Sequence, residues 1–160
     1  MTTFLTILTG VFVFIIGRFI EKLFIDPMKE HKTVIAEIYD GLMYLANKIG
    51  HPLELTENTD EDALKEYREA SNELRKMSTK LRAATFNLQG AYWFYRFLFR
   101  APTKDDINVV CASLIKLSNS ITYVKGAKNF ERNLGFQREI LEKLKLSEFE
   151  EKAFKKTPQQ

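Results

Sequence analysis

Cations interleaved with aromatic rings are the side chains of this chain best suited to recognising another molecule. Arg96 and Arg100 lie inside the run Tyr92-Trp93-Phe94-Tyr95-Arg96-Phe97-Leu98-Phe99-Arg100, with Lys104 just beyond, and Arg75, Lys76, Lys80 and Arg82 form a second basic group upstream. Phosphates attract such cations and unstacked bases lie flat on such rings, so Tyr92, Trp93, Tyr95 and the two basic groups are candidate contacts for single-stranded nucleic acid. The competing reading makes the aromatic run a core element and the cations a solvated face.

Other chemistry finds less footing. The chain has two histidines, His31 and His51, neither paired with a second His or Cys at metal-ligand spacing. No nucleophile elbow, phosphate-binding loop or dinucleotide fingerprint occurs, and the seven glycines are scattered. The acidic cluster Thr59-Asp-Glu-Asp62 suits a helix start, where carboxylates face the positive end of the macrodipole. The lone Cys111 lies among Val109, Val110, Leu114 and Ile115 and reads as a buried structural thiol, consistent with a reducing compartment. Enzyme is the least supported class, and no cofactor is called for.

The elements that must carry these residues fall into two environments. The net charge is only +3, yet residues Met1 to Gly17 hold no charged side chain at all. The roughly 20 residues from Thr3 to Lys22 cover about 30 Å as a helix, the thickness of a hydrocarbon core, with Arg18 and Lys22 snorkelling to headgroups. No basic segment precedes the apolar run and no small-x-small site follows it, so the helix is expected to be retained. Arg18, Lys22, Lys29 and Lys32 all follow the span. This bias places the N-terminus outside and the remainder in the cytoplasm. The expected division is 1–26, a membrane helix with its juxtamembrane segment, and 27–160, an all-helical cytoplasmic domain.

Thr6, Gly10, Val13 and Gly17 share one face of the spanning helix, extended by Thr3 and Glu21. Small and hydroxylated residues promote helix association in lipid. A symmetric homo-oligomer built on this seam surrounds its axis with Thr6, Gly10 and Val13 and sets Glu21 as an acidic ring at the cytoplasmic mouth. The same seam suits a tight, non-conducting bundle. Arg18 and Lys22, with Glu21 between them, read as interfacial anchors or, alternatively, as gating charges.

Beyond the span, Asp26-Pro27 marks an expected helix end or kink. Ile35, Ile38, Leu42, Leu45 and Ile49 define one helical face stopped by Gly50 and Pro52. Thr59 with Asp62 suggests a capping box for a long helix through Leu64, Tyr67, Ser71, Leu74, Ser78, Leu81 and Leu88, and Thr103 with Asp106 suggests another, for a helix on Ile107, Val110, Cys111, Leu114, Leu117 and Ile121. A last helix carries Phe130, Leu134, Ile140, Leu141 and Leu144, with a break near Gly135, before a charged tail. No sustained alternation predicts a strand.

The segments Gly17-Arg-Phe-Ile-Glu-Lys-Leu-Phe-Ile-Asp-Pro27, Ile38-Tyr-Asp-Gly-Leu-Met-Tyr-Leu-Ala-Asn47 and Leu114-Ile-Lys-Leu-Ser-Asn-Ser120 resemble a family of small bacterial single-span proteins, the membrane effectors of the Hailong anti-phage system. The resemblance is one of architecture and short segments over most of the chain. It implies an oligomeric, tetrameric ion channel held closed by single-stranded DNA oligomers. A partner nucleotidyltransferase makes these oligomers, and infection removes them. It assigns no ligand-binding residue, so the basic and aromatic candidates rest on their chemistry.

Overall fold

In the computed structural model, which describes residues 2–124 and 129–146, the protein is mostly helical. Helix α1 (Thr2–Ile20) passes through a π-helical turn (Glu21–Ile25) directly into α2 (Asp26–Tyr44). The expected end at Asp26-Pro27 does not occur. Proline has no N–H to give, and in an ordinary α turn its ring presses on the carbonyl four residues back. Here the turn is wider: the Asp26 N–H reaches the Glu21 carbonyl, five residues back, and Pro27 falls in the first turn of α2. The outcome is a helical run of 42 residues, Thr3–Tyr44. Its N-terminal part is long and apolar enough to cross a membrane, and none of that stretch is buried in the chain.

After a break at Leu45, α3 (Ala46–Gly50) leads to β1 (Leu53–Leu55), and α4 (Glu61–Asn87) crosses the domain. Then come α5 (Tyr92–Phe99), α6 (Lys104–Ser120), β2 (Thr122–Val124) and α7 (Asn129–Lys143). Helix α4 packs between α2 and α6, and α6 between α4 and α7, while α3 touches α7. The core they enclose is built from Ile38, Leu42 and Ile49, from Leu74 and Leu81, from Val110, Leu114 and Leu117, and from Ile140. Small residues Ala70, Ser78 and Ala84 on the buried face of α4 admit α6 closely. There the Ser78 hydroxyl donates to the Cys111 carbonyl at 3.0 Å, and the Cys111 thiol donates back to the Ser78 carbonyl at 3.5 Å. Burial pushes the Cys111 thiol pKa up, as befits a structural cysteine.

Local expectations divide. Thr103 and Asp106 form a full capping box for α6. Thr59 does not cap α4: its hydroxyl closes a turn onto the Thr56 carbonyl at 2.9 Å, and Asp60 caps instead, accepting from the Ala63 N–H at 3.2 Å. Helix α7 runs unbroken through Gly135, because the buried Asn133 side chain, donating to the Ile49 and Ser120 carbonyls, and the buried Ile140 fix both halves against the core. Phe130 and Leu134, placed on the apolar face by their spacing, are exposed. Three-residue strands carry no readable alternation, so the parallel pair of β1 and β2, Leu53 opposite Thr122, was not visible in the sequence. The charged tail lies outside the described residues.

A second, smaller cluster joins Met28 at the head of α2 with Leu88, Ala91, Tyr92, Tyr95 and Ala101. It seats α5 beside the junction of α1 and α2.

Candidate membrane and ligand-binding surfaces

The polar pin beneath α5 is His31, fully buried on α2. Its Nδ1 lies 3.3 Å from the Tyr95 hydroxyl and its Nε2 lies 3.1 Å from Thr85 Oγ1. The Thr85 hydroxyl already donates to the Leu81 carbonyl at 2.7 Å. It therefore accepts from His31 Nε2–H, which leaves Nδ1 to accept from Tyr95; the tautomer follows from the network. Burial depresses the His31 pKa to about 4 and raises that of Tyr95 to about 12. One neutral imidazole thus ties α2, α4 and α5 together. The sequence did hold a signal for it: Met28, His31, Ile35, Ile38 and Leu42 continue one stripe at spacings of three and four.

Held this way, α5 divides its rings. Tyr92 and Tyr95 face the core, and the Tyr92 hydroxyl donates to the Pro102 carbonyl at 2.9 Å. At 3% exposure Tyr92 has no face free to stack on a base. Trp93, 73% exposed, and Phe97, 83% exposed, point outwards with Leu98. Trp93, Arg96, Phe97 and Arg100 line one shallow hollow of about 550 Å³ together with Ala101 and Lys145. Arg100 ends the helix in the left-handed conformation, φ 50°, and Lys145 Nζ donates to its carbonyl at 2.8 Å. Among the described residues neither Arg96 nor Arg100 meets a carboxylate, so this aromatic–guanidinium edge is equipped to receive a phosphate.

The four cations of α4 do not form one patch. Arg75 reaches towards α6, with Nε 3.3 Å from Ser118 Oγ and Nη2 2.8 Å from Asn119 Oδ1. Arg82, two turns on, lies on the same side, beside Lys104 and Asn108. Lys76 and Lys80 face the other way and pair with Glu73 at 2.6 Å and Glu37 at 3.1 Å. The structure thus brings Trp93, Arg96 and Arg100 to one hollow, which neither Tyr92 nor the α4 group lines.

Along α1, Thr6, Gly10, Val13 and Gly17 are all exposed, and a side chain at Gly10 or Gly17 would meet nothing within 4 Å. Glu21 is half-buried and pairs with Arg18 at 2.7 Å, within the same helix. A scan against protein-family models, a search of curated proteins and a search of solved structures each found no match.

Proposed function

We propose that this chain is a subunit of a symmetric, tetrameric ion channel of the bacterial inner membrane, its N-terminus outside and its helical domain in the cytoplasm. The observation that carries the reading is the unbroken helical run Thr3–Tyr44, in which an apolar half suited to lipid continues without a linker into a half buried in the domain core. A change in how the domains sit against one another is then delivered directly to the spanning helices. The exposed seam Thr6–Gly10–Val13–Gly17 supplies their contact surface.

The resemblance described above supplies the rest of the proposal. A single-stranded DNA oligomer made by a partner nucleotidyltransferase holds the channel shut, and its loss during phage infection opens the pathway and depolarises the cell. Such a ligand acts only through a preference for the closed arrangement. Moving the ratio of open to closed from 1:99 to 99:1 takes about 10⁴-fold in affinity, roughly 5.5 kcal/mol, within reach of several phosphate contacts. Arg75 suits this role by position. Its partners Ser118 and Asn119 lie in the last turn of α6, whose end Asn133 ties to Ile49 of α3.

Assembled, ligand-free protein in planar bilayers is expected to conduct, and silence from well-assembled oligomers removes the channel reading. Arg75→Ala is expected to weaken binding of single-stranded DNA and to lower its salt dependence by about one phosphate contact. A second reading, a membrane-anchored helical adaptor without conduction, is favoured by the internal neutralisation of Lys76 and Lys80. Replacing residues 3–22 with an unrelated spanning segment separates the two: an adaptor keeps its activity, a channel loses it.

A further inference from the structure

Helix α5 is apolar on both of its sides. Tyr92 and Tyr95 occupy the core side, and Trp93, Phe94, Phe97 and Leu98 occupy the other. A helix apolar all round is normally enclosed, yet the outer side of α5 is open in the single chain. Two features say what covers it. The first is position: Trp93, Phe94 and Leu98 do not stand alone but share an apolar hollow of about 700 Å³ with Ile20, Phe24, Ile25 and Met28, where α1 passes into α2. At 1.5 Å per residue, Ile20 and Phe24 lie within about 6 Å of one another along the axis, at the cytoplasmic end of the apolar span. The second is charge. Lys29 and Lys32 line this hollow, Arg96, Arg100 and Lys145 line the adjoining one, and among the described residues no acidic side chain lines either. Two copies meeting through this face would set cations against cations. Anionic headgroups complement it.

We propose that α5 is an interfacial helix. Its Trp93–Phe94–Phe97–Leu98 side sinks into the boundary between headgroups and acyl chains of the inner leaflet, an acyl chain fills the hollow against Phe24 and Met28, and Arg96 and Arg100 hold lipid phosphates. The composition matches such helices, which set aromatic and aliphatic rings in the boundary with basic residues at the edge. The inference rests on the reading that α1 spans the bilayer. It deepens that reading by giving the domain a second point of attachment, so that its orientation to the membrane is fixed as well as its distance.

Trp93 is the only tryptophan of the chain and reports on this face directly. Full-length protein is reconstituted in phosphatidylcholine–phosphatidylglycerol vesicles whose acyl chains carry bromine either near the headgroup or near the bilayer centre. The expected result is a blue-shifted Trp93 emission, quenched more by shallow than by deep bromine and little by aqueous iodide. The double substitution Arg96→Glu with Arg100→Glu is expected to lower the shallow quenching in these anionic vesicles and to do so less in pure phosphatidylcholine. Emission shielded from iodide yet indifferent to bromine means that protein covers the face, as in contact with a second copy, and overturns the proposal. Emission open to iodide, or quenched by added oligothymidylate in place of lipid, overturns it too. A Trp93→Phe variant that also carries Phe12→Trp, at the middle of the span, separates the two layers of inference. If its emission is quenched by deep bromine while wild-type Trp93 ignores lipid, only the interfacial helix is wrong. If neither senses bromine, the spanning helix fails and the interfacial helix with it.

Discussion

His31 shows how a single side chain fixes both a geometry and a pH range. Folded, its imidazole is neutral, with a pKa held down to about 4 by burial against an ordinary value of 6.5. The unfolded chain takes up a proton as pH falls through 6.5 and the folded chain does not, so unfolding binds protons throughout this window. Stability is therefore complete above about 6.5 and declines to about 4, by roughly 3 kcal/mol if burial acts alone. Asp106 also loses stabilisation as acid reaches its own lowered pKa, set by its hydrogen bonds from Thr103. The comparison that isolates the histidine is His31→Gln, which retains polar contacts and does not titrate. Its melting temperature in detergent is expected to depend less on pH between about 6.5 and 4 than that of the wild type, and equal slopes would remove His31 as the cause. Tyr95→Phe, which strands Nδ1 without a donor, is expected to cost about 1 to 3 kcal/mol in denaturant unfolding. Single residues were unevenly legible in the sequence. The pattern of Thr followed three residues later by Asp occurs at Thr59 and at Thr103, yet only Thr103 caps, because the Thr59 hydroxyl oxygen accepts from the Thr56 N–H at 2.7 Å and the Asp60 carboxylate takes the Ala63 N–H.

At the scale of elements, periodicity located the helices well where one face is buried along its length. The stripes through Ile38, Leu42, Leu45 and Ile49, and through Ile107, Val110, Leu114 and Leu117, fall in the core as their spacing requires. Local breakers misled wherever tertiary contacts outweigh them. Gly135 lowers helix propensity by about 1 kcal/mol relative to alanine, too little to break a helix anchored at both ends. Nothing stands within 4 Å of a side chain placed there. Gly135→Ala is accordingly expected to raise stability by about 0.5 to 1 kcal/mol, measured by urea unfolding, whereas a loss would show that the site needs glycine's freedom. In the core, Leu74→Ala opens a void at a fully buried position between α2 and α6 and is expected to cost about 2 to 5 kcal/mol. Helix α5 is the element whose sequence gave least guidance. Both of its sides are apolar, so the choice of inward face depends on Met28 and His31, more than sixty residues upstream in the chain.

For the whole molecule, the uneven distribution of charge was enough to divide the chain, since a stretch without one charged residue from Met1 to Gly17 has no soluble counterpart elsewhere in it. What composition did not reveal is that the two parts are one rod. The widened turn at Glu21–Ile25 holds one more residue than an α turn, the Asp26 N–H bonding five residues back to the Glu21 carbonyl, so α1 and α2 join without a loop. Deleting Leu23 is expected to leave the direction of Thr6 and Gly10 nearly unchanged, though Pro27 then meets a narrower turn. Deleting Ile15, inside an ordinary α turn, swings every residue before it by about 100°. In the proposed oligomer, cysteines introduced at Thr6 and at Gly10 in a Cys111→Ser background read the difference: disulfide pairing between subunits is expected to survive the first deletion and to disappear with the second. That outcome would make the turn Glu21–Ile25 a splice, in which one residue can be lost without re-aiming the apolar half of the helical run.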